Sequence, residues 1–302
     1  MLIALLHVAL ALVLSPMLLS VAHRTKAFFA GRQGAPWLQP YFELGRLLRK
    51  GAVYSATTSW VFQIAPPLGL SAALATLALV PFAGHRAIVA FPGDVLLFSG
   101  LLALWRFATI LAALDTGSSF EGMGASREAA LSALGEPALI LALGAIARQT
   151  GQLSLSGILP ALTPHTWHQA WPVLALLLVT LSLVYVAENG RVPFDDPTTH
   201  LELTMIHEVM ILDSAGPDLA FIEYAAALKL WILGSLVVAI VTPVSRLPEA
   251  WALLLALAGM AGVAMATGVT ESIMARSRLN RLPKVLGTAS ILVAVALLLI
   301  QR

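Results

Sequence analysis

The sequence predicts an all-α, polytopic membrane protein with about eight transmembrane helices and an amphipathic helix on the cytoplasmic side. Hydrophobic residues make up 59% of the 302 residues, and charged residues only 11%. Soluble domains usually contain about 25% charged residues. The mean hydropathy is +0.86. Apolar runs of about 20 residues, enough to cross a bilayer as a helix, recur along the chain. We therefore expect a single integral membrane domain over 1–302.

The candidate spans are apolar runs that are too long to be strands. They cover roughly 2–22, 61–82, 95–114, 127–147, 171–188, 219–241, 249–269 and 284–301. The first run lacks the basic region and the small-residue cleavage site of a secretory signal peptide, so we interpret it as a retained helix. The segments predicted to be cytoplasmic are 23–60, 115–126, 189–218 and 270–283.

The distribution of basic residues predicts the orientation in the membrane. Of the 18 Lys and Arg residues, those in or beside these four segments are Arg24, Lys26, Arg32, Arg46, Arg49, Lys50, Arg127, Arg191, Arg276, Arg278, Arg281 and Lys284. The opposite side has only Arg86, Arg148, Arg246 and Arg302. The positive-inside rule places the more basic side in the cytoplasm and both termini outside.

The first cytoplasmic segment contains an amphipathic pattern. From Tyr41 to Lys50, apolar residues alternate at helical spacing with Glu43, Arg46 and Arg49, which predicts an interfacial helix. A basic stop next to lipid is the simpler interpretation, and it explains the charges. It does not explain the preceding "GRQGAPWLQP", in which Gly and Pro favour a defined loop shape.

An unusually polar segment, Tyr185 to Asp213, follows the fifth span. Its ionisable residues are Glu188, Arg191, Asp195, Asp196, His200, Glu202, His207, Glu208 and Asp213. Asp196 is a good N-cap and Pro197 suits the first helical position, which predicts a helix from Pro197 to about Leu212. A solvated surface helix is the ordinary interpretation of such a segment. The many interspersed apolar residues favour burial instead, and buried ionisable groups need partners or protons.

Metal binding is a weak interpretation of this segment. His200 and His207 lie two turns apart, about 10 Å along a helix, which is too far to share one ion. The chain contains no cysteine, so it cannot supply thiolate ligands for zinc or an iron–sulfur cluster. We expect the histidines to handle protons or to form hydrogen bonds. The net charge of +2 is too small to suggest a nucleic-acid partner.

Four charged residues fall within the predicted spans: Arg106, Glu136, Glu188 and Lys229. A charge at the bilayer centre costs about 2.5–3.5 kcal/mol on the insertion scale, so we expect ion pairs or a wet path. For Glu136, which precedes a proline, we favour a proton relay. For Arg106 and Lys229 a structural ion pair is an equally good interpretation.

The polar stretch before the fourth predicted span has an explanation that needs no function. Ser126 is suited to cap that helix, with Glu128 in its first turn. The same stretch places Asp115, Glu121 and Arg127 at the predicted cytoplasmic edge.

Three motifs resemble one known family. "ENGRVPFDDPTTHLEL" is similar to a loop of the complex I subunit 1 family. "LDTGSSFEGMGASREAALSALGEPAL" resembles more closely the membrane-anchor subunits of energy-converting [NiFe] hydrogenases, such as formate hydrogenlyase and hydrogenase-4. "GRQGAPWLQPYFELGRLL" resembles the family's first loop. Thr198 and His200 stand where family members commonly have Glu.

The resemblance implies a membrane subunit of an oxidoreductase complex without a redox centre of its own. Its partners would be a hydrophilic arm with iron–sulfur clusters and hydrogenase-like large and small subunits, and antiporter-like membrane subunits. Iron–sulfur clusters and, in the hydrogenases, [NiFe] would belong to these partners. The setting would be the bacterial inner membrane.

The resemblance also implies roles for individual residues. The family's loop acids correspond to Glu188, Asp195 and Glu202, its membrane acid to Glu136, and residues of the preceding loop to Asp115 and Arg127. We extend the proton path to Asp196, His200, His207, Glu208, Arg106 and Lys229. For docking of the arm we select Arg32, Gly34, Gln39, Arg46, Arg49 and Arg127.

Three other functions remain open at this point: a free-standing ion or solute transporter, a quinone-reactive subunit, and a purely structural anchor. Transporters often carry inverted repeats and helices broken near the midplane, and neither is evident in the sequence. The concentration of charge at one edge favours a subunit that docks a soluble arm.

Overall fold

A computed structural model of the chain describes residues 2–195, 205–244, 247–275, 277 and 279–300. Within these ranges the chain forms ten α-helices: α1 Leu2–Phe29, α2 Gln39–Leu48, α3 Trp60–Leu79, α4 Asp94–Asp115, α5 Ser119–Thr150, α6 Leu155–Ile158, α7 Pro164–Glu188, α8 Gly216–Val241, α9 Glu249–Ile273 and α10 Leu282–Ile300. Two short 3-10 turns cover Glu208–Ile211 and Leu279–Arg281. In the described part of the chain, 8 helices are long and apolar enough to cross a membrane. The predicted all-α polytopic fold is confirmed.

The helices pack around α8. In its most apolar stretch 72% of the residues are buried, against 22% for α10, which lies at the edge of the bundle. Close contacts depend on small residues: a Cβ on Gly69 of α3 would lie 2.7 Å from the Trp105 ring of α4. Likewise, a Cβ on Gly268 of α9 would lie 2.6 Å from the carbonyl oxygen of Ala22 in α1. Such close approach is how helices associate in lipid, where burial of apolar side chains alone gives little driving force.

Several helix boundaries differ from the prediction. The predicted loop 115–126 is mostly helical, because α4 ends at Asp115 and α5 already begins at Ser119. Ser126 therefore does not cap a helix; its hydroxyl donates to the carbonyl of Met123 inside α5. With 32 residues, α5 is about 48 Å long and extends beyond a hydrocarbon core of about 30 Å. Polar residues mark where an apolar run ends, but they do not end a helix that leaves the membrane.

The amphipathic helix is confirmed as α2, Gln39–Leu48. Pro40 lies in its first turn, where a missing N–H costs nothing. Leu47 is buried, whereas Phe42 and Leu48 are exposed. The helix packs against α1 and α8, and the hydroxyl of Tyr41 donates to the carbonyl of Val13.

The predicted α-helix from Pro197 to Leu212 is wrong over its described part. Residues 196–204, which include Asp196, His200 and Glu202, lie outside the described ranges. From Met205 onward the chain forms an irregular segment with a 3-10 turn at Glu208–Ile211. Tertiary contacts override helix propensity there, since the carboxylate of Asp195 accepts the N–H groups of Ile206 and His207.

The segments 30–59, 116–118, 189–195 and 205–215 lie at one end of the bundle, which we call the loop face. Hydrogen bonds join several of them: the hydroxyl of Thr57 donates to the carbonyl of Thr116 (3.2 Å), and the N–H of Ile206 donates to the carboxylate of Asp195 (3.0 Å). These segments belong to the loops that the sequence predicts to share one side of the membrane. The orientation of that side toward the cytoplasm stays a prediction.

Candidate functional site

The centre of the candidate site is Arg106, a buried residue in the middle of α4. Its guanidinium contacts three carboxylates on two other helices. Its Nε lies 3.0 Å from Oε1 of Glu128 on α5, and its two terminal nitrogens pair with Glu136 of α5 and Glu188 of α7. The planar, multi-donor guanidinium is suited to hold several carboxylates at once.

Lys229 of α8 completes this network. Its Nζ lies 3.9 Å from Oε2 of Glu188 and 4.7 Å from the centroid of the Trp105 ring. The four predicted charges of the spans are thus paired, as the cost of an isolated charge in lipid requires. With Glu128 included, three carboxylates face two cations.

His207 connects the network to the loop face. Its Nε2 lies 3.3 Å from Oε2 of Glu128, and its Nδ1 lies 3.5 Å from Oδ2 of Asp195. Burial lowers the pKa of His207, but the charges of Glu128 and Asp195 outweigh this effect, and the pKa stands above its ordinary value. Burial also raises the pKa of Asp195; contacts with His207 and the N–H of Ile206 outweigh burial, so that pKa stands below its usual range.

Two glycines allow His207 to occupy this position. Gly190 adopts a left-handed conformation (φ +57°), and a Cβ there would lie 2.7 Å from Nδ1 of His207. Gly124 lies under the 3-10 turn, and a Cβ there would lie 2.3 Å from Cγ1 of Val209 and 3.0 Å from the carbonyl oxygen of Ile206. A side chain at position 124 would push the loop away from α5, and one at position 190 would displace the ring of His207.

A cavity of about 450 Å³ borders the network at the loop face. The cavity is bounded by helices α1, α2 and α8 and by the 3-10 turn. Its charged lining residues include Arg106, Glu128, Glu188, Lys229, Asp195, His207 and Glu208. Glu136 is not among the lining residues; 37% of its side chain is exposed on the outer surface of α5. The network therefore extends from the cavity to the outer surface of the bundle.

A second ion-pair group reaches the cavity through Arg191 alone. Glu271 of α9 is 3.3 Å from Arg191 and 3.5 Å from Lys26 of α1. Arg191 follows α7, so the group ties the ends of three helices together. We assign it a structural role.

The remaining predicted path residue in the described ranges, Asp115, lies outside the network. Its carboxylate accepts from the N–H and hydroxyl of Ser59, both at 2.7 Å, and from the N–H of Phe62 at 3.3 Å. These contacts cap the start of α3, which gives Asp115 a structural role.

The predicted docking residues lie on the loop face. Arg32, Arg46 and Arg49 are exposed there. Gly34 packs against Arg24, whose Cγ would lie 3.0 Å from a Cβ. Gln39 donates to Glu43 at 2.8 Å.

Sequence reasoning missed Glu128 and Glu271. Glu128 was explained by a helix N-terminus that lies elsewhere, and Glu271 was not considered; it lies in the predicted segment 270–283, whereas α9 continues to Ile273. A signal existed for Glu128: it stands eight residues before Glu136 within a run that contains no proline.

Comparison with known proteins identifies the family. The NADH dehydrogenase family matches residues 1–302. The chain belongs to this family. It is 31% identical to hydrogenase-4 component C of Escherichia coli (strain K12) over 246 residues, which are 82% of this chain and 76% of that protein. It is 29% identical to formate hydrogenlyase subunit 4 of Escherichia coli (strain K12) over 283 residues, 90% of this chain and 89% of that protein.

The fold also matches a solved member of a respiratory complex. A chain of the membrane-bound sulfane sulfur reductase, an archaeal respiratory membrane complex, superposes with a TM-score of 0.83 at 20% identity, covering 98% of each chain. At this identity the match supports the fold alone. The resemblance to the complex I subunit 1 type and to hydrogenase membrane subunits is confirmed by the family and by the two relatives. Among the residues that the structure describes, no group of three or more His, Asp or Glu side chains is arranged to hold a metal ion.

Proposed function

We propose that this member of the NADH dehydrogenase family anchors a soluble redox arm to the bacterial cytoplasmic membrane and couples electron transfer in that arm to movement of protons or Na⁺. The observation that carries the proposal is the continuous chain of ionisable groups from Asp195 at the loop face to Glu136 on the outer surface of α5. The similarity to hydrogenase-4 component C and formate hydrogenlyase subunit 4 supports a place in a multisubunit complex.

The geometry supports charge transfer because each group touches the next. Asp195 faces His207, His207 faces Glu128, and Glu128 faces Arg106, at 3.5, 3.3 and 3.0 Å. Arg106 then pairs with Glu136. A proton arriving at one end changes the charge that its neighbour feels, and through it the next ion pair.

The exposed position of Glu136 supports a membrane partner. With 37% of its side chain exposed on a transmembrane helix, the carboxylate would face lipid in an isolated subunit, at considerable cost. An antiporter-like subunit that covers this surface of α5 with a polar group would remove that cost. It would also continue the path.

The basic, partly apolar surface of segment 24–54 supports docking of the arm. We expect the double substitution Arg46→Glu and Arg49→Glu to release arm subunits, with their iron–sulfur and [NiFe]-type proteins, while the membrane subunits stay assembled. Co-purification in mild detergent measures this, with Arg148→Glu, at the opposite end of the bundle, as the matched control. An arm that stays bound to the double variant through a high-salt wash contradicts this contact. Purification of the chain alone from its native membrane would favour a free-standing transporter.

The coupling itself is tested with amide variants. Asp195→Asn and Glu136→Gln keep size and remove the titrating charge. We expect both complexes to assemble and to transfer electrons to an artificial acceptor, while ion translocation in proteoliposomes falls several-fold. Glu249→Gln, an exposed carboxylate at the opposite end, is the control. Full translocation by both assembled variants would contradict the proposal, and lost assembly with normal coupling in the remaining complex would indicate a structural anchor.

The cavity favours a second candidate, binding of a quinone. The cavity volume of about 450 Å³ falls within the range that is usual for ligand pockets, about 300–1,000 Å³. Apolar residues such as Leu19 and Leu230 line it together with the charged groups. If the assembled complex reduces an added short-chain quinone, this candidate gains support; failure to do so, with electron transfer to an artificial acceptor intact, contradicts it.

A further inference from the structure

The imidazole of His207 lies between two groups that only accept hydrogen bonds when ionised. Oδ2 of Asp195 is 3.5 Å from Nδ1, and Oε2 of Glu128 is 3.3 Å from Nε2. Both distances exceed the usual range of about 2.7–3.2 Å. Both ring nitrogens are buried, and neither makes a closed hydrogen bond within the described residues. A small tilt of the ring therefore closes one contact and opens the other.

A neutral imidazole has one donor and one acceptor, so it can donate to only one of the two carboxylates. An imidazolium can donate to both. We propose that His207 and Glu128 form a one-proton relay that connects Asp195 to the Arg106 network. This inference rests on the proposed coupling function and assigns its connecting step.

The step balances without any other reactant. The protonated carboxyl of Asp195 gives its proton to Nδ1 of His207, leaving a carboxylate and an imidazolium. The imidazolium releases the proton on Nε2 to Oε2 of Glu128, leaving a neutral ring protonated at Nδ1. The ring holds one proton before and after the step, and exchange of that proton with water in the cavity that His207 lines returns it to the starting tautomer.

The arrival of the proton at Glu128 changes the pairing of Arg106. Protonated Glu128 keeps Oε1 near Nε of Arg106 but loses its negative charge, so the guanidinium is held mainly by Glu136 and Glu188. Arg106 does not release a proton in proteins. It transmits the event by a change of ion pairing, toward the carboxylate that is exposed on the outer surface of α5.

Charged groups from several elements act on His207, and the carboxylates among them favour the cation. Glu128 faces it from α5 and Asp195 from the segment after α7, whereas Lys229 of α8 opposes it. Glu188, at the end of α7, also senses its charge. The attraction of the two carboxylates outweighs burial and Lys229, so the pKa of His207 stands above its ordinary value.

The test uses His207→Gln and Glu128→Gln in the complete complex, with His168→Gln, an exposed histidine of α7, as the matched control. We expect both relay variants to assemble and to keep electron transfer in the arm. Translocation should fall by about tenfold or more, since a positioned proton donor typically contributes about 10²–10⁴-fold. The wild-type pH profile of translocation should show a titration on the alkaline side of 6.5, and His207→Gln should abolish it.

An infrared measurement separates the relay from a structural role. A protonated carboxyl band should appear during wild-type turnover and be absent from Glu128→Gln, whereas a structural role would leave it unchanged. If Glu128→Gln fails to assemble, Glu128→Asp keeps the titrating group, and its band and a partial recovery of translocation serve as the readout.

The results distinguish this inference from the proposed function. The relay alone is overturned if coupling is lost in Asp195→Asn and Glu136→Gln but stays normal, with an unchanged pH profile, in His207→Gln and Glu128→Gln. Full coupling in all four variants overturns the proposed function as well.

Discussion

Substitution of Gly124 by alanine should release the His207 segment from α5. The Cβ of alanine would meet Cγ1 of Val209 at 2.3 Å, Cγ of Met210 at 2.9 Å and the carbonyl oxygen of Ile206 at 3.0 Å. One of these neighbours is main chain, so a rotamer change alone does not relieve the clash. The segment must move, and His207 moves with it.

The expected cost is about 1–3 kcal/mol, the usual range for overpacking a well-packed site. This free energy corresponds to an increase of about 5–150-fold in the open population of the segment. The control is Gly122→Ala in the same turns of α5, where an added Cβ meets no atom within 4 Å. Because Ala favours the helix over Gly by about 0.5–1 kcal/mol, this control should be neutral or stabilising.

Cysteine labelling measures the opening, because the chain contains no cysteine of its own. Ile206→Cys provides the reporter: the Ile206 side chain is fully buried, and the clash with Gly124→Ala involves the Ile206 main chain, which this substitution retains. In the Gly124→Ala background a maleimide should label Cys at this position about 5–150-fold faster than in the Gly122→Ala background. Equal labelling rates would refute the packing argument, and rapid labelling with unchanged ion translocation would refute the link between this segment and coupling.

Four further predictions follow from the same contacts. With the Ile206→Cys reporter, labelling corrected for thiol reactivity should rise with pH: the pKa of His207 is raised above 6.5, so its stabilisation is complete below 6.5 and is lost as pH rises through the folded-state value. On the acid side, the lowered pKa of Asp195 makes its stabilisation complete above 3.8 and lost as pH falls through the folded-state value. Asp115→Ala should cost about 0.5–2 kcal/mol in a detergent unfolding assay by uncapping α3, with coupling unchanged. Arg106→Leu should cost about 3–5 kcal/mol in that assay by leaving buried carboxylates unpaired, and a mild effect would contradict the geometry of the network. A single cysteine at Ser55 should label from the cytoplasmic side; labelling only from the periplasmic side would overturn the orientation.

Hydrophobic patterning was sufficient to predict the spans and the amphipathic helix. A run of apolar residues is a one-dimensional signal, and lipid imposes it almost independently of neighbouring helices. The sequence also predicted that Arg106 and Lys229 would each need an ion-pair partner, since an isolated charge in a span is too costly. Their partners were not foreseeable, because these depend on how each helix is rotated in the bundle.

The errors have a common physical origin at the loop face. A polar residue there is equally compatible with a cap, a surface helix or a buried ion pair, and sequence spacing does not distinguish these. Glu128 was interpreted as a helix-terminal charge, yet it contacts both Arg106 and His207. Segment 205–212 was interpreted as an α-helix, yet the Asp195 carboxylate and the close approach at Gly124 impose another conformation.

The permanent charge at the centre explains how such a network can respond to single protons. Arg106 stays a cation, so only its neighbours change charge. When Glu128 is ionised, the guanidinium divides its contacts among three carboxylates; when Glu128 is protonated, the attraction shifts toward Glu136 and Glu188. In the proposed relay, the position of this arginine would be set by the number of protons that reach the site through His207. Because Glu136 is also the carboxylate exposed on the outer surface of α5, the proposed relay would convert that number into an electrostatic signal at the surface where we propose that a membrane partner binds.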